Sequence, residues 1–139
     1  MTTSSTASRV EVRLLLDTNV FLWLQAEPER LGDHLRLVED PGNELLVSAV
    51  SSWEIAIKVG LGRLELPEEP RHYVPARMRA IGAEPLPIQH SHALAVSGLP
   101  WHHRDPFDRL LVAQAAGLKL SILTADRQLT AYEVGTILV

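Results

Sequence analysis

An α/β domain with a mostly parallel sheet is what this sequence predicts, and three features predict it. The run VRLLL (12–16) is short, continuous and apolar, the pattern of a strand buried on both faces. ELLVS (44–48) is a second strand candidate, and LKLSILTAD (118–126) reads as a strand leading into a turn. The segments between them space their apolar residues as helices do.

In chain order, NVFLWLQ (19–25) reads as a short helix. EPERLGDHLRLVED (27–40) reads as a second helical stretch, closed by the turn PGN (41–43). After ELLVS a helix covers AVSSWEIAIKVGLGRL (49–64), with Ser48 placed to cap it and Gly60 and Gly62 to stop it. RHYVPARMRAIG (71–82) has helical spacing despite Pro75. AEPLPI (83–88) is a short extended piece, HSHALAVSGL (90–99) a short helix and PWHHRDP (100–106) a loop. FDRLLVAQAAG (107–117) is a helix leading into the late strand. DRQLTAYE (126–133) is a short helix and GTILV (135–139) the last strand. No repeat or linker divides this series, so residues 12–139 form one domain behind a flexible polar tail, 1–11.

Composition narrows the function. The 139 residues suffice for a core without covalent staples. There is no cysteine, which excludes disulfides, thiolate metal sites and a cysteine nucleophile. No apolar run approaches the roughly 20 residues a bilayer requires, and the tail has no secretory apolar stretch, so the expected location is the cytoplasm. A net charge of −4 argues against a broad basic face that grips nucleic acid through its phosphates. It leaves room for an enzyme whose acids are gathered in one pocket around cations.

Four acids share a place. In open α/β sheets, ligands bind beyond the carboxyl ends of the strands. Asp17 directly follows the first strand and Asp126 a later one. Glu54, on the helix after ELLVS, falls on the stripe of Val50, Ile57 and Leu61, where an unpaired acid is unusual. Asp108 shares the inward face of Leu111, Val112 and Ala115, whereas Asp105 before Pro106 resembles a helix cap. Carboxylates held together raise one another's pKa values, and divalent cations relieve the repulsion. Oxygen-only ligands suit Mg²⁺ or Mn²⁺. One or two such ions can activate water and steady the leaving oxygen of a phosphodiester.

Each acid also has a structural reading. Asp17 and Asp126 could cap the helices they precede, and Asp108 could close a capping box. Glu54 could pair with Lys58 one turn on, on a solvated face. Thr18, Asn19, Ser48 and Thr124 flank the acids and could hydrogen-bond to them, or simply cap. Spacing alone leaves a shared metal site and a set of scattered caps both open.

Neither His90 with His92 nor His102 with His103 has the helical spacing of a zinc site, which makes them surface loop residues. Trp23, Trp53 and Trp101 read as core or interface rather than base-stacking platforms, since no basic residues interleave with them. Lys58, Arg104, Arg109 and Arg127 could contact phosphate or balance the acids' charge.

At these residues the chain resembles the PIN-domain proteins, and within them the VapC-type toxins of type II toxin–antitoxin pairs. LLLDTNVFLW, VSAVSSWEIAIKVGLGRL, DPFDRLLVAQA and LTADRQL stand in the expected order and span nearly everything from Leu14 on. The resemblance implies a Rossmann-like α/β/α sandwich and a Mg²⁺-dependent endoribonuclease over 12–139. It implies that Asp17, Glu54, Asp108 and Asp126 are its catalytic acids, with Asp17 and Asp108 the metal ligands. It also implies a homodimer, an RNA substrate and a cognate antitoxin that blocks the active site. The departures are a longer polar N-terminus and the extra acid at 105.

Two other classes compete. An aspartyl-phosphate phosphatase or receiver-like domain also ends a strand in Asp. The phosphatase wants a second Asp where Asn19 stands, and the receiver a Lys that TADR lacks. A non-catalytic PIN-like binding module would have little use for the full acidic set.

Overall fold

The computed structural model describes residues 12–139, so the expected tail, 1–11, lies outside the described residues. Five strands form one sheet: β1 (Arg13–Leu16), β2 (Glu44–Ser48), β3 (Ala83–Leu86), β4 (Ser121–Thr124) and β5 (Gly135–Leu138). Their order is β3-β2-β1-β4-β5, and all four pairings are parallel. The expectation of a mostly parallel sheet is therefore met in full.

Period-two alternation sends the apolar residues of β1, β2 and β4 to both faces of the sheet. Leu14 and Leu16 join Leu45, Val47 and Leu123 on one face. Leu15 joins Leu46 and Ile122 on the other. Leu14, Leu15 and Leu16 have no exposed surface, and each burial stabilises by roughly 1.5–3 kcal/mol.

Helices cover both faces, which makes a three-layer sandwich. Helix α1 (Thr18–Ala26) brings Val20 and Phe21 to the first face, with Val74 of α4 (Pro70–Ile81). Helix α6 (Pro106–Leu118) brings Leu111, Val112 and Ala115 to the second. Helix α3 (Ala49–Gly60) serves both, through Val50 on one side and Ile55 on the other. Two shorter helices complete the set, α2 (Leu35–Glu39) and α5 (His90–Ala95).

Some elements differ from expectation. The stretch 27–40 is a 3₁₀ helix (Pro28–His34) followed by α2, broken where Gly32 takes a φ of 55°. A positive φ cannot continue an α-helix, and glycine accepts it at no steric cost. The short helix expected at 126–133 is a 3₁₀ segment, Arg127–Ala131. The buried stripe of α3 is Val50, Ser51, Glu54 and Ile55, while Leu61 is 62% exposed. Glu54 is buried nonetheless.

The strand order also fixes where a site can form. From β1 the chain crosses to β2 on one side, and later returns to β4 on the other. That reversal opens a crevice at the carboxyl ends of β1 and β4.

Candidate metal centre

Asp17 is the first residue past β1 and occupies the N-cap of α1, yet its side chain makes no capping bond. Instead Thr124 Oγ1, at the end of β4, donates to Asp17 Oδ2 at 2.5 Å, and Asp17 N–H donates to the Leu123 carbonyl. The acid is thus tied across the switch point and not to its own helix. Burial raises its pKa; the Thr124 hydroxyl and Thr18 N–H oppose this, while the charges of Glu54 and Asp126 add to it.

Glu54 is only 6% exposed. One oxygen, Oε2, accepts from Lys58 Nζ at 2.6 Å, so the anticipated turn-to-turn pair exists, although not on a solvated face. The other, Oε1, is buried with no hydrogen-bond partner. A buried carboxylate oxygen left unpaired is costly, on the order of 1–3 kcal/mol or more. The Lys58 ammonium is held charged, chiefly by its hydrogen bond to Glu54.

Asp108 sits in the first turn of α6, where it makes no capping-box bond; Asp105 is the cap, accepting from Phe107 N–H and Asp108 N–H through Oδ1. The pKa of Asp108 is pushed up to about 8. Burial is the main cause, followed by the charges of Asp17, Asp105, Glu54 and Asp126. Asp126 caps the 3₁₀ turn through Oδ1, which accepts from Gln128 N–H, while its Oδ2 lies 2.7 Å from His103 Nε2.

All four sequence-predicted acids therefore meet. They line one cleft of about 270 Å³ with Asp105, Asn19 and Ala125, and Lys58 is the cation beside them. Five carboxylates facing one ammonium make an oxygen-rich, electron-rich pocket. The unpaired Oε1 of Glu54 and the raised pKa of Asp108 both favour a positive charge in this cleft. These residues fit a divalent cation with oxygen ligands.

The flanking polar residues separate. Thr124 bonds Asp17, while the Thr18 hydroxyl goes to Ser51. Asn19 is exposed in the cleft. Ser48 spends its hydroxyl on Val50 N–H and Gln114 Oε1, which makes it a cap buried in the core and not a partner of the acids.

Sequence reasoning missed two residues. His103 is a half-buried neighbour of the acids, with Nε2 at 2.7 Å from Asp126 Oδ2 and 3.2 Å from Asp108 Oδ2. The reading as a surface loop residue also fails for His92, which is buried and caps α5 with Gln89. Arg109 does not face the cleft. It is 3% exposed and donates to the carbonyls of Val96, Leu99 and Pro100 and to the Tyr132 hydroxyl, under the ring of Trp101. Trp101 and Trp53 are themselves exposed, so neither is core. Arg109 staples the 96–103 segment to α6. Arg109→Met removes the donor to the Leu99 and Pro100 carbonyls and the Tyr132 hydroxyl, while Val96 keeps Leu99 N–H, and a loss of about 2–3 kcal/mol is expected in denaturant unfolding.

A family model, the PIN domain, matches residues 14–135. The chain belongs to the PIN domain family. Among relatives of this PIN domain, Ribonuclease VapC16 of Mycobacterium tuberculosis is 50% identical over 56 residues, 40% of this chain and 40% of that one. Ribonuclease VapC22 of the same organism is 30% identical over 122 residues, 86% of this chain and 91% of that one. Two solved structures share the fold. One is VapBC2 from Rickettsia felis bound to a DNA fragment from their promoter, with a TM-score of 0.70 at 12% identity over 92% of this chain and 99% of that one. The other is FitAcB from Neisseria gonorrhoeae, with a TM-score of 0.59 at 20% identity over 89% and 96%. The PIN domain match contains all four acids and the residues that tie them together. Among the described residues, no helix of this PIN domain is long and apolar enough to cross a membrane.

Proposed function

We propose that this PIN domain is a divalent-metal-dependent endoribonuclease, loaded with Mg²⁺ or Mn²⁺, and the toxin of a toxin–antitoxin pair. The observation that carries the reading is the unpaired, buried Oε1 of Glu54, set in a cleft with three more acids at the switch point. The names of the two ribonuclease relatives supply the substrate class, and the VapBC2 assembly supports a partner.

In this reading Asp17 and Asp108 hold the ion, and Glu54 and Asp126 complete the site directly or through water. A bound divalent cation supplies positive charge to a phosphate oxygen and a more acidic water. Thr124 fixes the rotamer of Asp17, so one of its oxygens is kept aimed into the cleft. Lys58 neutralises one oxygen of Glu54 and, among the described residues that line the cleft, supplies positive charge that a phosphate would meet. With no cysteine in the chain, hydrolysis by water is the simplest route. A cognate antitoxin, which would block the cleft, and a homodimeric assembly belong to the same proposal, as does a cytoplasmic site of action.

The test is incubation of the purified, partner-free chain with total RNA, with Mg²⁺ or Mn²⁺ and with EDTA. Discrete fragments that appear only with metal are expected, and their ends identify the target. A folded chain that binds metal and leaves every RNA intact overturns the ribonuclease reading.

A further inference from the structure

The segment His102–His103–Arg104 leads straight into the helix cap Asp105, and it places an imidazole against the acidic cleft. Among the described residues, one oxygen each of Asp108 and Asp126 and one nitrogen of His103 lie within 4.8 Å of one another. Taken by residue type alone, a His and two Asp suggest a nitrogen-containing metal site, of the kind that favours zinc or nickel.

The hydrogen bonds around the ring argue otherwise. The backbone N–H of Asp105 donates to His103 Nδ1 at 3.0 Å. A peptide N–H can only donate, so Nδ1 must present its lone pair. In a neutral imidazole the proton then resides on Nε2. Nε2 is the atom that meets Asp126 Oδ2 at 2.7 Å and Asp108 Oδ2 at 3.2 Å, and both of these accept. Every contact of the ring is satisfied by one tautomer. That tautomer has no lone pair on the side facing the acids.

The ring has little freedom to turn over. His103 N–H donates to the Tyr132 hydroxyl at 2.9 Å, and its carbonyl lies near the Arg109 guanidinium. Arg109 in turn holds the carbonyls of Val96, Leu99 and Pro100. The loop that carries His103 is thereby anchored to α6, the helix that carries Asp108. Flipping the imidazole would set Asp105 N–H against a carbon and remove the donor from both carboxylates.

We propose that His103 is a positioning residue: a fixed Nε2–H donor that holds Asp126 and Asp108 together, and not a ligand of the ion. This rests on the metal-site reading of the four acids. It extends that reading to selectivity, because a site whose nitrogen is occupied by a proton offers a cation oxygen only. Hard cations such as Mg²⁺ and Mn²⁺ are then preferred over zinc. Partners of this kind that orient metal-binding carboxylates are worth about 10–100-fold in metal affinity.

The test pairs a spectroscopic readout with a binding one, and neither uses RNA cleavage. Nitrogen-15 imidazole spectra of the full chain, at a pH where free imidazole is neutral, should show His103 with its proton on Nε2. Addition of Mg²⁺ should leave that proton in place. A proton found on Nδ1, or its transfer there with Nε2 becoming a ligand when Mg²⁺ is added, overturns the proposal. Calorimetric titration with Mg²⁺ should show His103→Ala weakened by about 10–100-fold and His103→Gln, which restores an N–H donor, within a few-fold of the unaltered chain. Equal affinity of His103→Ala and the unaltered chain overturns the proposal, as does His103→Gln binding as weakly as His103→Ala while both melt normally. An unaltered chain that binds no divalent cation defeats the metal-site reading separately, and the tautomer then decides the donor role alone.

Discussion

Asp108→Asn should slow RNA cleavage by on the order of 10²–10³-fold, the usual loss when one charged group aimed at a reacting centre is removed, while making the metal-free protein more stable. The two effects have one cause. Asp108 is pushed up to about 8 by burial and by the surrounding charges of Asp17, Asp105, Glu54 and Asp126. At neutral pH the fold must either bind a proton there or tolerate a further buried negative charge, and an amide of the same shape removes that cost. The gain is on the order of 2–4 kcal/mol, or roughly 5–10 °C in melting temperature.

Asp17→Asn should lose activity comparably, with a smaller stability change, because Asp17 already has a donor in Thr124. The decisive comparison is initial cleavage rate against melting temperature for each variant. A residue that merely supports the scaffold loses both together, as Arg109→Met should. Activity lost while stability rises marks a carboxylate retained for chemistry at the expense of the fold. If Asp108→Asn melts lower and cuts RNA as before, Asp108 is structural and the assignment of the site to hydrolysis fails.

The sequence exposed the acids because period and position both constrain them. A leucine strand buried on both faces that ends in Asp17 marked a position for either a helix cap or a ligand at its carboxyl end. Asp108, three and four residues before Leu111 and Val112, had to point inward. The strand order was not legible, since Leu15 pairs equally well in pattern with Leu46 on one side and Ile122 on the other. Glu54 was placed correctly on a misdrawn stripe: Ser51 and Ile55 are buried with it and Leu61 is not. His103 and Arg109 escaped for a common reason. Their partners are backbone groups of the 96–105 segment, and loop carbonyls leave no periodic trace. The signal that was available is local: an imidazole two residues before a capping Asp is within reach of that cap's own N–H.

The same cluster should make stability depend on pH in a direction that metal reverses. The ordinary Asp value is 3.8, and Asp108 stands near 8 in the fold. Between those values the folded chain keeps a proton that the unfolded chain has lost. Folding stability without metal therefore falls as pH rises through that window, by up to about 1.4 kcal/mol per pH unit, or roughly 3–5 °C. Asp17, also raised, adds to the slope above its ordinary value. Lys58 is committed to Glu54 and His103 donates to Asp108 and Asp126, so neither contributes a full countercharge. Divalent ions bind the deprotonated cluster, so their affinity climbs with pH. At about 100 times Kd, Mg²⁺ returns about 2.7 kcal/mol. Melting temperatures taken from about pH 5 to pH 8 should thus decline in EDTA and level out or rise in saturating Mg²⁺. Asp108→Asn should flatten the EDTA curve and blunt the response to the ion. Parallel declines with and without Mg²⁺ would mean that the carboxylates repel one another but hold no cation, and the cleft would have to be explained without one.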